Sequence, residues 1–155
     1  MNRQAKEVIR DAPWTGLTYK IIGLAMEIHN ELGPGHREAA YHNAMVGKFK
    51  QAGLVFEDEP QFPVILEEGI VVQGNVPDLV VEDTVIVELK ARKHQMTRDD
   101  MAQIIGYFAV LPQCPVALFI NFGRLRLEYR RLLPPTTVQA YQRAEGGRQV
   151  ADGNG

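Results

Sequence analysis

The stretch NVPDLVVEDTVIVELKA, residues 75–91, limits the folds open to this chain more than any other. Two β-branched runs flank a short polar break, the pattern of adjoining strands at about Asp78 to Glu82 and Thr84 to Ala91. Runs this apolar belong in a core, where an ionised side chain needs a partner or a metal. Asp78, Glu88 and Lys90 nevertheless lie within them. Residues two apart on a strand share a face, so Glu88 stands beside Lys90 while Val87 and Leu89 point the other way. Asp78 joins that face if an odd number of residues around Glu82, Asp83 and Thr84 connects the strands. A two-residue turn at Asp83 and Thr84 would set it opposite Leu89, pointing away. The odd connection is the expectation, with the two carboxylates close enough to share one cation.

Around this pair the hydrophobic period changes along the chain. Residues 1–13 carry no sustained period and read as a flexible N-terminal arm. From Thr15, Leu17, Ile21, Leu24, Ile28 and Leu32 recur at helical spacing, and GPG at Gly33–Gly35 ends that helix. A second helix is expected from about His36 to Gln51, with Tyr41, Met45 and Phe49 as its apolar stripe. Short runs broken by Pro60, Pro63 and Gly69 then predict edge strands and a hairpin turning near Glu67 to Gly69. TRDDMAQIIGYFAVL reads as a helix capped by Thr97 and Asp100, burying Met101, Ile104, Ile105, Phe108 and Leu111. PVALFINFG and RLRLEYRRLL give two closing strands, the second alternating Leu125, Leu127 and Tyr129 with charged residues. Residues 134–155 are polar and glycine-rich, a flexible tail. The expectation is one α/β domain over residues 14–133, with a strand–helix–strand crossover near its centre.

Several of the charged and polar positions have a plain structural reading beside a functional one. Glu88 with Lys90 is read either as an exposed ion pair or as part of a site. Glu38 is either an acidic residue placed favourably at a helix start or a third carboxylate reaching the end of the sheet. Gln103 and Tyr107, four apart on one helix, are either its solvated side or a glutamine that orients water or a phosphate oxygen, with the tyrosine behind it. Two converging carboxylates repel unless a cation intervenes, and oxygen ligands of this kind suit Mg²⁺ or Mn²⁺. Asp78 and Glu88 would hold the ion and Lys90 would help generate hydroxide, the elements of phosphodiester hydrolysis.

Other chemistries find no support. The four histidines are scattered, no HExxH is present, and His36 and His42 read as surface residues. No GxxxxGK or GxSxG occurs, so no nucleotide cofactor is implied. A single cysteine, Cys114, and no secretory segment at Met1 point to the reducing cytoplasm. Apolar runs such as Val116 to Ile120 are too short for a membrane span. A net charge of −2 disfavours a non-specific nucleic-acid coat, although KARKH can supply phosphate contacts through Arg92, Lys93 and His94. Exposed alternation on the last strand suggests a homodimer.

GHREAAY at Gly35–Tyr41 matches the GxxExxY signature, and PDLVVEDTVIVELK matches the PD-(D/E)XK pattern. With INFG at Ile120–Gly123, these motifs make the chain resemble the GxxExxY family of the restriction-endonuclease-like superfamily over about residues 14–133. The resemblance implies a mixed β-sheet flanked by helices. It implies a metal-dependent nuclease acting on nucleic acid, DNA ahead of RNA, with Mg²⁺ or Mn²⁺. Asp78, Glu88 and Lys90 match the superfamily's Asp, Glu and Lys; Glu38 matches its helical glutamate and further metal ligand. Gln103 and Tyr107 match the QxxxY element of its DNA-processing branches, with Tyr107 at the nucleic acid. Two other readings stay open: a non-catalytic module that binds nucleic acid or a protein partner, and an interaction role like that of toxin–antitoxin proteins.

Overall fold

The computed structural model describes residues 12–135. The expected N-terminal arm up to residue 11 and the tail from residue 136 lie outside the described residues. Two helices come first, α1 at Thr15–Leu32 and α2 at Glu38–Gln51. Five strands follow: β1 Phe56–Asp58, β2 Pro63–Ile65, β3 Val71–Gln73, β4 Leu79–Val81 and β5 Val85–Lys90. Helix α3, Arg98–Val110, then crosses to β6 Val116–Asn121, and β7 Glu128–Leu132 closes the fold.

The main sheet has five strands in the order β1-β4-β5-β6-β7, and only β5 and β6 run parallel. That parallel pair is the strand–helix–strand crossover expected from the sequence, made through α3. Alternation sorts the central strands onto two cores. Leu79, Val81, Val85, Val87, Leu89, Leu118 and Ile120 face α1 and α2, while Val80, Ile86 and Phe119 face α3. Helices cover both faces, so every residue of β6 is buried. This is a mixed α/β fold consistent with restriction-endonuclease-like architecture.

Details depart from the periodicity. On α1 the buried line runs through Ile21, Ile22, Ala25, Ile28 and His29, whereas Leu17 and Leu24 are half-buried and Leu32 is exposed. The stripe turns by about one residue because His29 can be buried, its Nε2 meeting the Arg124 carbonyl oxygen at 2.9 Å. On α3 the Thr97–Asp100 capping box forms as read, but Met101 is exposed and Ile105 half-buried. Tyr107 is buried instead, because its hydroxyl reaches the Val76 carbonyl at 3.0 Å. β2 and β3 pair only with each other, forming a two-stranded sheet apart from the main one. The last strand starts only at Glu128; Leu125 lies in the preceding bend and is 90% exposed. The alternation written in RLRLEY therefore does not describe one strand.

The β4–β5 connection decides the site. Glu82 and Asp83 both have positive φ, 51° and 50°, the backbone of a two-residue hairpin turn. Thr84 N–H closes it on the Val81 carbonyl at 3.0 Å, yet Val81 pairs with Val85, so Thr84 is an additional residue. The connection has the odd count.

Candidate metal centre

Leu79 stands opposite Val87, so the next position outward in the antiparallel register sets Asp78 across from Glu88. Both point to the α3 side of the sheet, as does Lys90. Asp78 Oδ2 accepts the Leu89 N–H at 2.6 Å, which fixes the carboxylate at the mouth of the strand pair. Lys90 Nζ lies 3.5 Å from Glu88 Oε1. Glu88 Oε2 is buried and has no hydrogen-bond partner among the described residues. Tyr107 lies close to Glu88, and its single hydroxyl proton is donated to the Val76 carbonyl at 3.0 Å.

Burial pushes the Glu88 carboxyl up to about 8, with the Asp78 charge adding to it and Lys90 opposing. Asp78 is raised as well, burial outweighing the Leu89 N–H it accepts. Burial, and then the charge of Glu88, holds the Tyr107 phenol far above its ordinary range. Gln103 stands in hydrogen-bonding reach of that phenol, so the two residues form one polar group under the sheet.

Helix α2 approaches the same strand ends. Tyr41 places its start: the ring stacks on Phe122 with centroids 4.5 Å apart, and the hydroxyl donates to the Gly33 carbonyl at 2.6 Å. The corner that precedes Glu38 is thereby held against Phe122, just past the end of β6. Glu38 is exposed as a residue, yet its carboxyl leans on the rim. Partial burial and then the Asp78 charge raise its pKa, while Lys90, Arg92 and His42 oppose.

His42, read as a surface residue from sequence, is half-buried between two carboxylates. Its Nε2 lies 2.6 Å from Asp58 Oδ1, and its Nδ1 lies 3.8 Å from Asp78 Oδ1. His42, Glu59 and Asp78 each offer a ligand atom within 4.8 Å of the others, the one such group among the described residues. Of the three carboxylates expected to hold a metal, only Asp78 belongs to it; Glu88 adjoins it across the strand pair and Glu38 at the rim. Glu59 reaches the group because it continues β1 with φ 46°, its N–H donating to the Asp78 carbonyl at 2.9 Å. Sequence reasoning missed His42 and Glu59. The four-residue spacing from Glu38 to His42 on one helix was a usable signal. Glu59, one of three consecutive acidic residues in EDE, offered none.

KARKH divides. Arg92 forks onto Asp100, with Nη1 3.0 Å from Oδ1 and Nη2 on Oδ2, and so is held in an ion pair with the start of α3 rather than free for phosphate. Lys93 and His94 are exposed. Buried Asn121 fixes this segment: its Oδ1 accepts Arg92 N–H at 2.9 Å and its Nδ2 donates to the His94 carbonyl at 3.0 Å.

The donor set is chemically suited to a divalent cation. Hard carboxylate oxygens dominate, one imidazole stands among them, and the partnerless Glu88 Oε2 is a buried polar atom of the kind a cation satisfies. No helix among the described residues is long and apolar enough to cross a membrane. Comparison with curated proteins and with solved structures returns no match. The family that does match, over residues 15–132, is described as the PD-(D/E)XK nuclease superfamily. With a match that spans both helices at the front, the acidic strand pair and the crossover, the chain belongs to the PD-(D/E)XK nuclease superfamily.

Proposed function

We propose that this protein is a divalent-metal-dependent nuclease of the GxxExxY type that hydrolyses phosphodiester bonds, with DNA favoured over RNA as substrate. One observation carries the reading: Asp78 faces Glu88 across β4 and β5, Lys90 shares their face, and a Glu88 oxygen is buried without a partner. Mg²⁺ or Mn²⁺ is the proposed cofactor. Asp78 and Glu88 hold it, with Glu38 at the rim and His42 and Glu59 beside Asp78. A bound divalent ion supplies Lewis-acid stabilisation of the phosphate and a water of lowered pKa.

The chain's own residues do the rest. Lys90, 3.5 Å from Glu88, offsets the carboxylate charge and orients the attacking water. Gln103 presents its amide to water or to a phosphate oxygen, braced by Tyr107. Lys93 and His94 supply backbone contacts, since both are exposed on the segment leaving the Lys90 strand. A reducing cytoplasmic setting is supported by the free, buried Cys114.

The test is incubation of purified protein with single-stranded, duplex and branched DNA and with RNA, adding Mg²⁺, Mn²⁺ or chelator. Cleavage that is lost on chelation and reduced roughly 10² to 10⁴-fold in Lys90→Ala is expected. Full cleavage by Lys90→Ala, or cleavage indifferent to chelator, would refute the mechanism. Binding without cleavage on every substrate would favour a non-catalytic module on the same fold.

A further inference from the structure

The placement of His42 says more about the site than that an ion fits there. An imidazole has two nitrogens, and what one of them contacts determines what the other can do. Here Nε2 is 2.6 Å from Asp58 Oδ1, a distance at which the ring donates its proton to the carboxylate. The neutral ring then carries its lone pair on Nδ1, the nitrogen turned toward Asp78 Oδ1. Their separation of 3.8 Å is too long for a hydrogen bond. Two donors each about 2.1 Å from a common ion stand roughly 3 Å apart in an octahedral shell, so a small closing motion would put both on one cation. Glu59 completes the group from the end of β1. Asp58, His42 and the ion position thus fall in the order carboxylate, imidazole, metal, an arrangement in which the outer carboxylate sets the tautomer and strengthens the ligand. Buried Glu88 Oε2, without a partner, belongs to the residue that stands across β4 and β5 from Asp78.

We infer that His42 is a nitrogen ligand oriented by Asp58, and that it selects a first-row transition ion of the manganese class over magnesium at the Asp78 site. This rests on the metal reading of that site given above and names which ion it takes. Mg²⁺ binds oxygen and keeps much of its water shell; Mn²⁺ also favours oxygen ligands, but as a first-row transition ion it gives up water and takes an imidazole nitrogen more readily than Mg²⁺ does. Removing the imidazole therefore costs affinity for Mn²⁺ and little for Mg²⁺. Asp58 touches no ion and is a positioning residue.

The experiment is Mn²⁺ titration followed by electron paramagnetic resonance on the full chain, with Mg²⁺ as competitor. Parent, His42→Ala, His42→Gln, Asp58→Asn and Asp78→Asn are compared. The parent should bind Mn²⁺ at least tenfold more tightly than Mg²⁺ and show ¹⁴N modulation of the bound Mn²⁺ signal, a signature that needs no variant. Both His42 variants should lose that modulation and weaken Mn²⁺ at least tenfold while Mg²⁺ changes less than about twofold. Asp58→Asn should keep the modulation with weaker Mn²⁺, by roughly 10-fold, and Asp78→Asn should lose both ions. Mn²⁺ bound in an Asp78-dependent way but without ¹⁴N modulation, or equal losses of both ions in the His42 variants, overturns the inference and leaves the metal site standing. A parent that binds neither ion overturns both.

Discussion

At the scale of single residues, Glu88 concentrates the electrostatic cost of the site. Burial and the facing Asp78 lift its pKa from the ordinary 4.5 to about 8. A group that holds its proton more tightly in the folded chain stabilises the fold fully below its unfolded pKa, and that contribution disappears as pH rises through the folded value. The metal-free protein should therefore lose stability from about pH 5 to pH 8, and Asp78, shifted the same way, adds to the slope. Asp100 works in the other direction. Burial would raise its pKa, but Arg92 and the Thr97 N–H prevail and hold it to about 2, so its contribution is lost as pH falls from 3.8 through that value. Melts in chelator should show the midpoint falling between pH 5 and 8 in the parent. Glu88→Gln should be at least as stable at pH 8, less dependent on pH and no longer stabilised by added Mg²⁺ or Mn²⁺. An unchanged pH slope in Glu88→Gln would mean that the carboxyl is solvated after all. Lys90→Ala should do the reverse at pH 8, lowering the metal-free midpoint because two facing carboxylates lose the cation beside them.

Among the elements, the junction of β5 and β6 sets where Lys90 ends and the basic segment begins. Phe122 N–H donates to the Lys90 carbonyl at 2.8 Å, and Gly123 then passes directly over the next peptide. A Cβ at Gly123 would lie 2.2 Å from Arg92 N and 2.5 Å from the Ala91 carbonyl carbon, backbone atoms that cannot swing aside. Gly123→Ala should cost about 3 kcal/mol, the upper part of the range for overpacking, read from the denaturant midpoint at constant m. A loss below roughly 1 kcal/mol would show that the strand ends part easily. This close approach accounts physically for the glycine in INFG. The neighbouring Phe122 supports Tyr41 of GHREAAY by stacking, so two of the quoted motifs meet in space. Motif spacing could suggest that both matter, but their contact depends on how α2 crosses the sheet.

For the whole molecule, the β2–β3 hairpin is the feature that bears on assembly. Val64, Ile65, Leu66, Ile70, Val71 and Val72 are all exposed on it, and a two-stranded hairpin alone is marginal in water. Residues 51–89 contain no Lys or Arg, while Glu67 and Glu68 mark the turn, so a phosphate backbone is not the expected occupant. For the homodimer expected from sequence we propose this hairpin, pairing antiparallel with that of a second copy, as the seam in place of β7, whose Leu125 lies outside the strand. Light scattering should give twice the 17.4 kDa chain mass, and Val64→Lys should halve it without altering helical content. A parent mass of one chain at micromolar concentration would contradict the dimer.

The periods of the sequence determined the three helices, the Thr97 cap, the hairpin and the crossover, because each is fixed by neighbours along the chain. They also brought out Asp78, Glu88 and Lys90 as charges out of place in strands, though only the additional Thr84 in the β4–β5 connection decided that Asp78 faces Glu88. Tertiary structure alone decided the rest. A period tells which side of an element is buried, but not which side chains from other elements meet it there. His42, Asp58 and Glu59 gather on Asp78 because the start of α2 and the end of β1 converge on the β4–β5 mouth. Tyr107, read as either solvated or functional, became buried when the Val76 carbonyl offered its hydroxyl a partner. Arg92 became an ion-pair partner of Asp100 because the loop leading to α3 folds back on the helix start. These partners are distant in sequence or set by a loop's path, and only the packing of the sheet against its helices brings them within the few ångströms over which hydrogen bonds and ligand shells act.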